Sequence, residues 1–540
     1  MQDAEDELNG VPWRAPEMDP RKAQARARQY VLMPGANRIY PEWYSVAFDS
    51  DLVLHHDQRL PVAVRNGTAL IGSFYDLQLA TMDAEAVLAD VLRAMSDEKA
   101  LHDRLSYLAG RWTFFWHSGD EVKIVTDAAG LLPAFYLEPH GAPLVSCNPE
   151  LIAELAKAPI SAAGQRRMDE PSYRSDLPTA MATADRGHDN WWPGELTPFR
   201  GVRHLLPNHC LGLHSRRVER FWPTRPLPRQ SAKTAAAQAR NMLSAILEGV
   251  SRNSRKVLMP VTAGLDSRAL LAVSKSVAQR YACFVYAPAT HKSGDLYVED
   301  QVVAGQLAQK QGLPLTELRY ANKLDDEFAD QLAANMSFIT ASHTIGFEAQ
   351  AITRAFGTDV TLLNGNVSEI ARNYFGFMPR SLVDDRYLTC AIDPELSPLT
   401  RAELARWLPE ARKACARGHI ELSDLFYWEF RMGCWQAYVQ VQLGGMLDIF
   451  TPYNCRKLLE TMLSAPKSAR SGVVAPLYRE MIAQSWPELL DVPINPSKSR
   501  SYRVRAGALV RRHALLNFAA KSAWYGYKQR RQAKRARARA

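Results

Sequence analysis

From Ser231 onward, short apolar runs alternate with helical stretches, and nothing else in the sequence limits the fold as tightly. Ala235–Val250 reads as an amphipathic helix, and Lys256–Val261 as an apolar run that ends in a glycine turn. Ser267–Arg280 returns to helical spacing, Tyr281–Tyr286 is a second apolar run, Val298–Gln311 is helical, and Val360–Leu363 is a third run. Strands joined through helices pair in parallel, so this half predicts a doubly wound parallel sheet, with residues 400–490 mostly helical. Ligands of such sheets sit beyond the carboxyl ends of the strands.

The first 225 residues have a different rhythm. Tyr44–Phe48, Thr68–Ser73, Trp112–Trp116, Val122–Thr126 and Leu144–Cys147 are short apolar runs broken by turn residues, with one helical stretch at Ala84–Met95. They predict a layered α+β domain. Between the two halves runs Pro223–Gln230, whose three prolines can continue neither a helix nor a central strand. The expected organisation is therefore 1–225, 226–510 and a basic tail, 511–540.

Charge and cysteine content exclude several function classes. The chain has 540 residues with 66 Lys+Arg and 57 Asp+Glu, a net charge of +9. Ten of the cations, and no acids, fall within residues 511–540; removing those ten from 66 leaves 56 against 57 acids for the body. A neutral body argues against specific nucleic-acid recognition, and the tail reads either as a contact for an anionic surface or partner or as a solvated extension. No apolar run reaches the ~18–20 residues of a spanning helix. Met1–Asp6 is acidic where a signal peptide is basic, and the seven cysteines include no Cys-x-x-Cys pair. A reducing, cytoplasmic setting is expected. The oligomeric state has no sequence signal.

Chemistry concentrates at Lys256-Val-Leu-Met-Pro-Val-Thr-Ala-Gly-Leu-Asp-Ser-Arg268. An apolar strand leads through a turn of small and hydroxyl residues into a helix. Thr262, Ala263 and Gly264 let the backbone approach an oxyanion, and the N–H groups of the following helix start point toward it. Asp266 places a carboxylate where it can hold Mg²⁺ beside phosphates, and Ser267 adds a hydroxyl. Neither a Gly-x-x-x-x-Gly-Lys nor a Gly-x-Gly-x-x-Gly motif occurs, so nucleotide binding, if present, uses neither of those loops.

This turn resembles the Ser-Gly-Gly-x-Asp-Ser loop of the asparagine synthetase, β-lactam synthetase and lasso-peptide cyclase family, with Thr262 and Ala263 in place of the first Ser and Gly. Leu108–Phe115, Thr126–Tyr136 and Thr197–Pro207 with Phe221-Trp222 resemble blocks of that family's glutaminase-type first domain, in the same order. The resemblance covers roughly residues 40–500. It implies an Ntn-type first domain followed by an ATP-pyrophosphatase domain in which Val261, Thr262, Ala263, Gly264, Leu265, Asp266 and Ser267 bind ATP. Glutamine-hydrolysing members use an N-terminal Cys; here Gln2 follows Met1 and the first Cys is Cys147, so the first domain is expected to be catalytically silent.

Two later blocks extend the comparison. Val360-Thr-Leu-Leu-Asn-Gly-Asn-Val-Ser-Glu369 resembles the family's Ser-Gly-x-Gly-x-Asp-Glu loop, which implies that Asn364 and Gly365 line the nucleotide. The Asp is missing, which leaves Glu369 as the candidate second metal ligand beside Asp266. Lys498, in Asn495–Arg500, falls where the family carries a late active-site Lys and is the candidate for neutralising charge on the reacting groups, with Arg500, Arg503 and Arg505 as competitors. Asp448 and Pro452–Asn454 read as structural. Asp295, Glu299, Asp300 and Ser342-His343-Thr344 are weaker candidates, and Trp191-Trp192 is expected at a domain junction.

The expected function is ATP- and Mg²⁺-dependent amide formation. A substrate carboxylate is adenylated, pyrophosphate leaves, and an amine captures the acyl group. The carboxylate and amine are small molecules or peptides, joined within one molecule or between two. The alternative is a non-catalytic relative that binds nucleotide or a partner.

Overall fold

The computed structural model describes residues 18–539, apart from 36–37, 139–141, 170–190, 290–295, 322, 339–342, 394–395, 473 and 497–513. It is a mixed α/β protein built on three sheets.

Two of the sheets are antiparallel and six-stranded. One orders its strands Val202–Leu205, Ala134–Leu137, Val145–Ser146, Tyr30–Pro34, Leu52–His56 and Tyr44–Ala47. The other runs Val218–Arg220, His209–Gly212, Glu121–Thr126, Leu108–Ser118, Thr68–Asp76 and Val62–Arg65. Tyr30, Leu32 and Leu54 of the first meet Ile71, Phe115 and Ile124 of the second in a buried layer. The outer face of the second sheet is covered by helices Ala84–Ala94 and Glu98–Leu105, through Val87, Leu88, Val91 and Leu101 against Leu70, Phe114 and Trp116. Strands at Tyr30–Pro34 and Leu52–His56 carry no turn-bounded alternation and escape the sequence reading. Both are interior to their sheet, where a strand buried on both faces loses that pattern.

The third sheet is parallel throughout. Its strands are β1 (Val257–Pro260), β2 (Tyr281–Pro288), β3 (Leu315–Tyr320), β4 (Thr361–Leu363) and β5 (Asp448–Phe450), in the order β3-β2-β1-β4-β5. The predicted alternation is present: α1 (Ala232–Asn253) precedes β1, α2 (Leu265–Val273) leads toward β2, and α3 (Leu296–Gln311) toward β3. Strands β3 and β5 were not anticipated, because the edge strand β3 exposes Glu317 and Arg319 and β5 spans only three residues. The order reverses between β1 and β4, and the first strand of the unit lies at that reversal. Loops leaving these two strands diverge and open a crevice.

The antiparallel and parallel parts share one continuous core. It joins Val31 and Phe135 of the first sheet to Leu243, Val285, Trp428 and Tyr453. Asn454 crosses the junction: its amide donates to the Gly110 carbonyl at 2.6 Å and Asp127 Oδ1 at 2.7 Å, and its oxygen accepts from Ala129 N–H at 2.9 Å. Met432–Leu447 is helical except for Gly445–Leu447, and most of it is buried; its first turns belong to a wide-turn helix at Tyr427–Gln436. Trp192 is buried in the same core.

Candidate functional site

The turn after β1 and the loop after β4 meet in that crevice, at the mouth of a cavity of about 330 Å³. Thr262, Gly264, Asp266, Ser267, Asn364, Gly365 and Glu369 all line it, so residues a hundred positions apart in sequence come together as one wall. Val261 and Leu265 are buried and anchor the turn, with the Val261 N–H donating to the Phe284 carbonyl at 2.8 Å.

The turn is held by its own hydroxyls. Thr262 Oγ1 lies 2.6 Å from Ser267 Oγ and accepts from the Gly264 N–H at 3.1 Å. Asp300 Oδ1 accepts from the Ala263 N–H at 2.7 Å, which gives that acid a positioning role. Gly264 is the N-cap of the nine-residue helix α2 and has no side chain to cap it. The N–H groups of Leu265, Asp266 and Ser267 accordingly make no hydrogen bond among the described residues. Three donors without a partner among the described residues and the positive end of a helix dipole thus mark a turn of which Gly264, Asp266 and Ser267 line the cavity, which is the electrostatic setting of an anion site.

Across the mouth, Asn364 Oδ1 accepts from the Asn366 N–H at 2.8 Å, and the Asn366 amide donates to Gln436 Oε1 at 2.8 Å. A Cβ on Gly365 would stand 3.8 Å from the Ser267 nitrogen, so a larger side chain there would occupy the approach to the helix start. Val367 holds φ +79°, a conformation β-branched residues rarely adopt; the packing around this loop enforces it.

Asp266 is already engaged. Ser368 Oγ donates to its Oδ1 at 2.6 Å, and Arg372 forms an ion pair with its Oδ2. Glu369 is close enough to feel Asp266: burial first, then that neighbouring charge, raises its carboxyl well above the ordinary range. Its Oε2 is buried and has no hydrogen-bond partner. Two adjacent carboxylates, one carrying an orphaned oxygen, fit a divalent cation shared with phosphate oxygens, as Mg²⁺ is usually bound. Among the described residues no group of three or more His, Cys, Asp or Glu forms a complete metal site.

The inner cavity wall is one the sequence gives no hint of. Ile345, Ala349, Ile352, Val439, Leu443 and Ile449 make it apolar, and Glu348 and Gln436 interrupt it. Burial pushes the Glu348 carboxyl up to about 8, although the Tyr297 hydroxyl donates to it at 3.1 Å. Arg372, Glu348 and Gln436 reach the site from three different helices or turns without any shared motif.

Lys498, Arg500, Arg503, Arg505, Asp295 and Ser342 lie outside the described residues. The segment leading to Lys498 packs against the turn: the Asn495 N–H donates to the Ala263 carbonyl at 2.9 Å, and Arg268 donates to the carbonyls of Leu489 and Val492 at 2.8 and 2.9 Å. Asp448 accepts from Thr361 Oγ1 at 3.1 Å, a strand-to-strand bond in keeping with a structural reading.

No protein-family model and no curated protein matches the chain. Among solved structures, it is similar to glutamine phosphoribosylpyrophosphate (PRPP) amidotransferase from B. subtilis complexed with ADP and GMP, at 12% identity over 65% of this chain and 73% of that one, with a TM-score of 0.22. A likeness that weak carries no argument about this chain's activity. Among the described residues no helix is long and apolar enough to cross a membrane.

Proposed function

We propose that the chain is an ATP-dependent carboxylate–amine ligase, with an Ntn-type first domain that serves as scaffold and a second domain that adenylates a substrate carboxylate. The observation that carries the reading is the trio of unpaired N–H groups at Leu265–Ser267 beside Asp266 and Glu369, at the mouth of a partly apolar cavity on the switch point of a parallel sheet.

The helix start would hold the phosphates, and Thr262 and Ser267 would add hydroxyl contacts. Asp266 and Glu369 would hold Mg²⁺, which supplies charge neutralisation on the departing pyrophosphate. Arg372, paired with Asp266 in the structure, would be released toward phosphate once a cation takes its place on that carboxylate. The apolar inner wall would keep water from the acyl-adenylate until the amine arrives. The cysteines are all buried, and burial pushes the Cys147 thiol up to about 12, which suits packing rather than nucleophilic attack.

ATP–pyrophosphate exchange, run with Mg²⁺ and pools of carboxylic acids and peptides, tests the reading. Exchange that requires one carboxylate supports it. Silence in every pool together with no direct ATP binding overturns it.

One observation favours a second reading, a nucleotide-binding scaffold without catalysis: Asp266 is closed off by Ser368 and Arg372. ATP binding that survives Asp266→Ala with exchange absent throughout would select it.

A further inference from the structure

A larger cavity than that of the candidate nucleotide site lies elsewhere, and the two share no lining residue. It measures about 810 Å³, within the usual range for small-molecule sites, and opens between helix Glu98–Leu105, the proline-rich connector, α1 and helix Arg456–Leu463. At its floor lies Arg456, 7% exposed.

Arg456 is anomalous. Its guanidinium donates to the amide oxygen of Asn208 and makes no other hydrogen bond among the described residues, and no carboxylate stands within ion-pair distance. Three aromatic rings surround it instead: Phe221 at 5.1 Å, Trp222 at 5.4 Å and Trp428 at 5.4 Å. Cation–π contacts offset part of the desolvation cost but satisfy none of the in-plane N–H donors. Burial works against its charge, and Glu460, Asp127 and Glu429 offset that only from beyond pairing distance; a buried guanidinium with no paired anion is costly, and buried charges are ordinarily paired.

The rest of the cavity repeats this chemistry. Lys99, Arg225 and Lys457 add three cations, whereas Asp103 and Glu460 are the acids of the lining. Glu460 is already occupied as acceptor of the Trp222 indole N–H at 2.7 Å. Phe221, stacked on His102 with ring centroids 4.1 Å apart, and Trp222 give flat apolar walls. We propose that this cavity binds a small organic anion, a carboxylate or phosphate monoester on a flat aromatic body, with the charged group on Arg456 and the ring against Phe221 and Trp222. The site is independent of the proposed ligase chemistry.

Titration calorimetry of the full chain with 2-naphthoate, 2-naphthyl phosphate and the neutral 2-naphthylmethanol tests this. We expect one of the two anions to saturate a single site at least tenfold more tightly than the alcohol; whichever binds better names the anion class. Arg456→Met should weaken that binding tenfold or more. Asn241→Trp, an exposed position on α1 that lines the mouth, should block it without touching the core, and it decides the matter if Arg456→Met fails to fold. Asp266→Asn should leave the affinity unchanged. The proposal is overturned if neither anion saturates, if the alcohol binds as well, if affinity survives Asn241→Trp and a folded Arg456→Met, or if Asp266→Asn abolishes it.

Discussion

Asp266 sits between a hydroxyl and a guanidinium, and that pairing decides what its removal does. Asp266→Ala leaves Arg372 without its carboxylate and takes a ligand from the proposed cation site. On the ligase reading, pyrophosphate exchange should fall at least ~100-fold, and thermal unfolding should shift down as well, because the buried Ser368 hydroxyl and the mostly buried Arg372 both lose their acceptor. Glu348 supplies a pH test. Its carboxyl is raised from 4.5 to about 8 in the fold, by burial above all and by Asp300 as a further charge. The folded chain therefore keeps a proton that the unfolded chain releases, so this contribution to stability is complete below pH 4.5 and is lost as pH rises toward 8. Urea unfolding at pH 5 and pH 8 should show wild type losing more stability over that interval than Glu348→Gln. An equal loss in both would mean that Glu348 is ionised in the fold.

Among the elements, α1 shows how packing overrides local preference. Gly249 lies inside this 22-residue helix, where Ala is worth ~0.5–1 kcal/mol more in intrinsic propensity. A Cβ there would stand 2.1 Å from the ring of buried Tyr75, on the strand Thr68–Asp76 of the second antiparallel sheet. Gly249→Ala should consequently destabilise, by about 1–3 kcal/mol, which denaturant midpoints will register. The opposite result would mean that the helix and the sheet are less closely packed. Ser231, whose hydroxyl accepts from the Thr234 N–H at 3.1 Å, caps the same helix; Ser231→Ala should cost about 1 kcal/mol by the same measurement.

For the molecule as a whole, the junction between the antiparallel and parallel parts is the feature with most at stake. Asn454→Ala would leave the Gly110 carbonyl without its side-chain donor, reduce the Ala129 N–H to its longer bond to Asp127 Oδ1 and remove one contact of Asp127 in a dry interface. A loss of about 2–4 kcal/mol is expected, read as a lower midpoint of unfolding. The C-terminal basic segment also joins the body. Helix Ala514–Arg539 packs Phe518 and Tyr525 on Tyr387, with ring centroids 4.9 and 5.0 Å away, and Lys521 donates to the Phe375 carbonyl at 2.7 Å. Trp524 and Tyr527 of the same helix are exposed.

Local chemistry made part of this protein readable from its residues. The strand-to-helix alternation after Ser231 and the turn Thr262–Ser267 are visible because backbone geometry demands apolar runs, small residues and a helix start in that order. The loop Asn364–Glu369 is visible only through its resemblance to the acidic loop of the asparagine synthetase family. Long-range packing decided the rest. Strands β3 and β5 are too exposed or too short to leave a pattern. Arg372 against Asp266, Glu348 in the cavity wall and Arg456 under its three rings are single residues without motifs. Each acquires its charge environment only from neighbours that the chain brings near after folding, and desolvation, unlike periodicity, is a property of a place and not of a sequence.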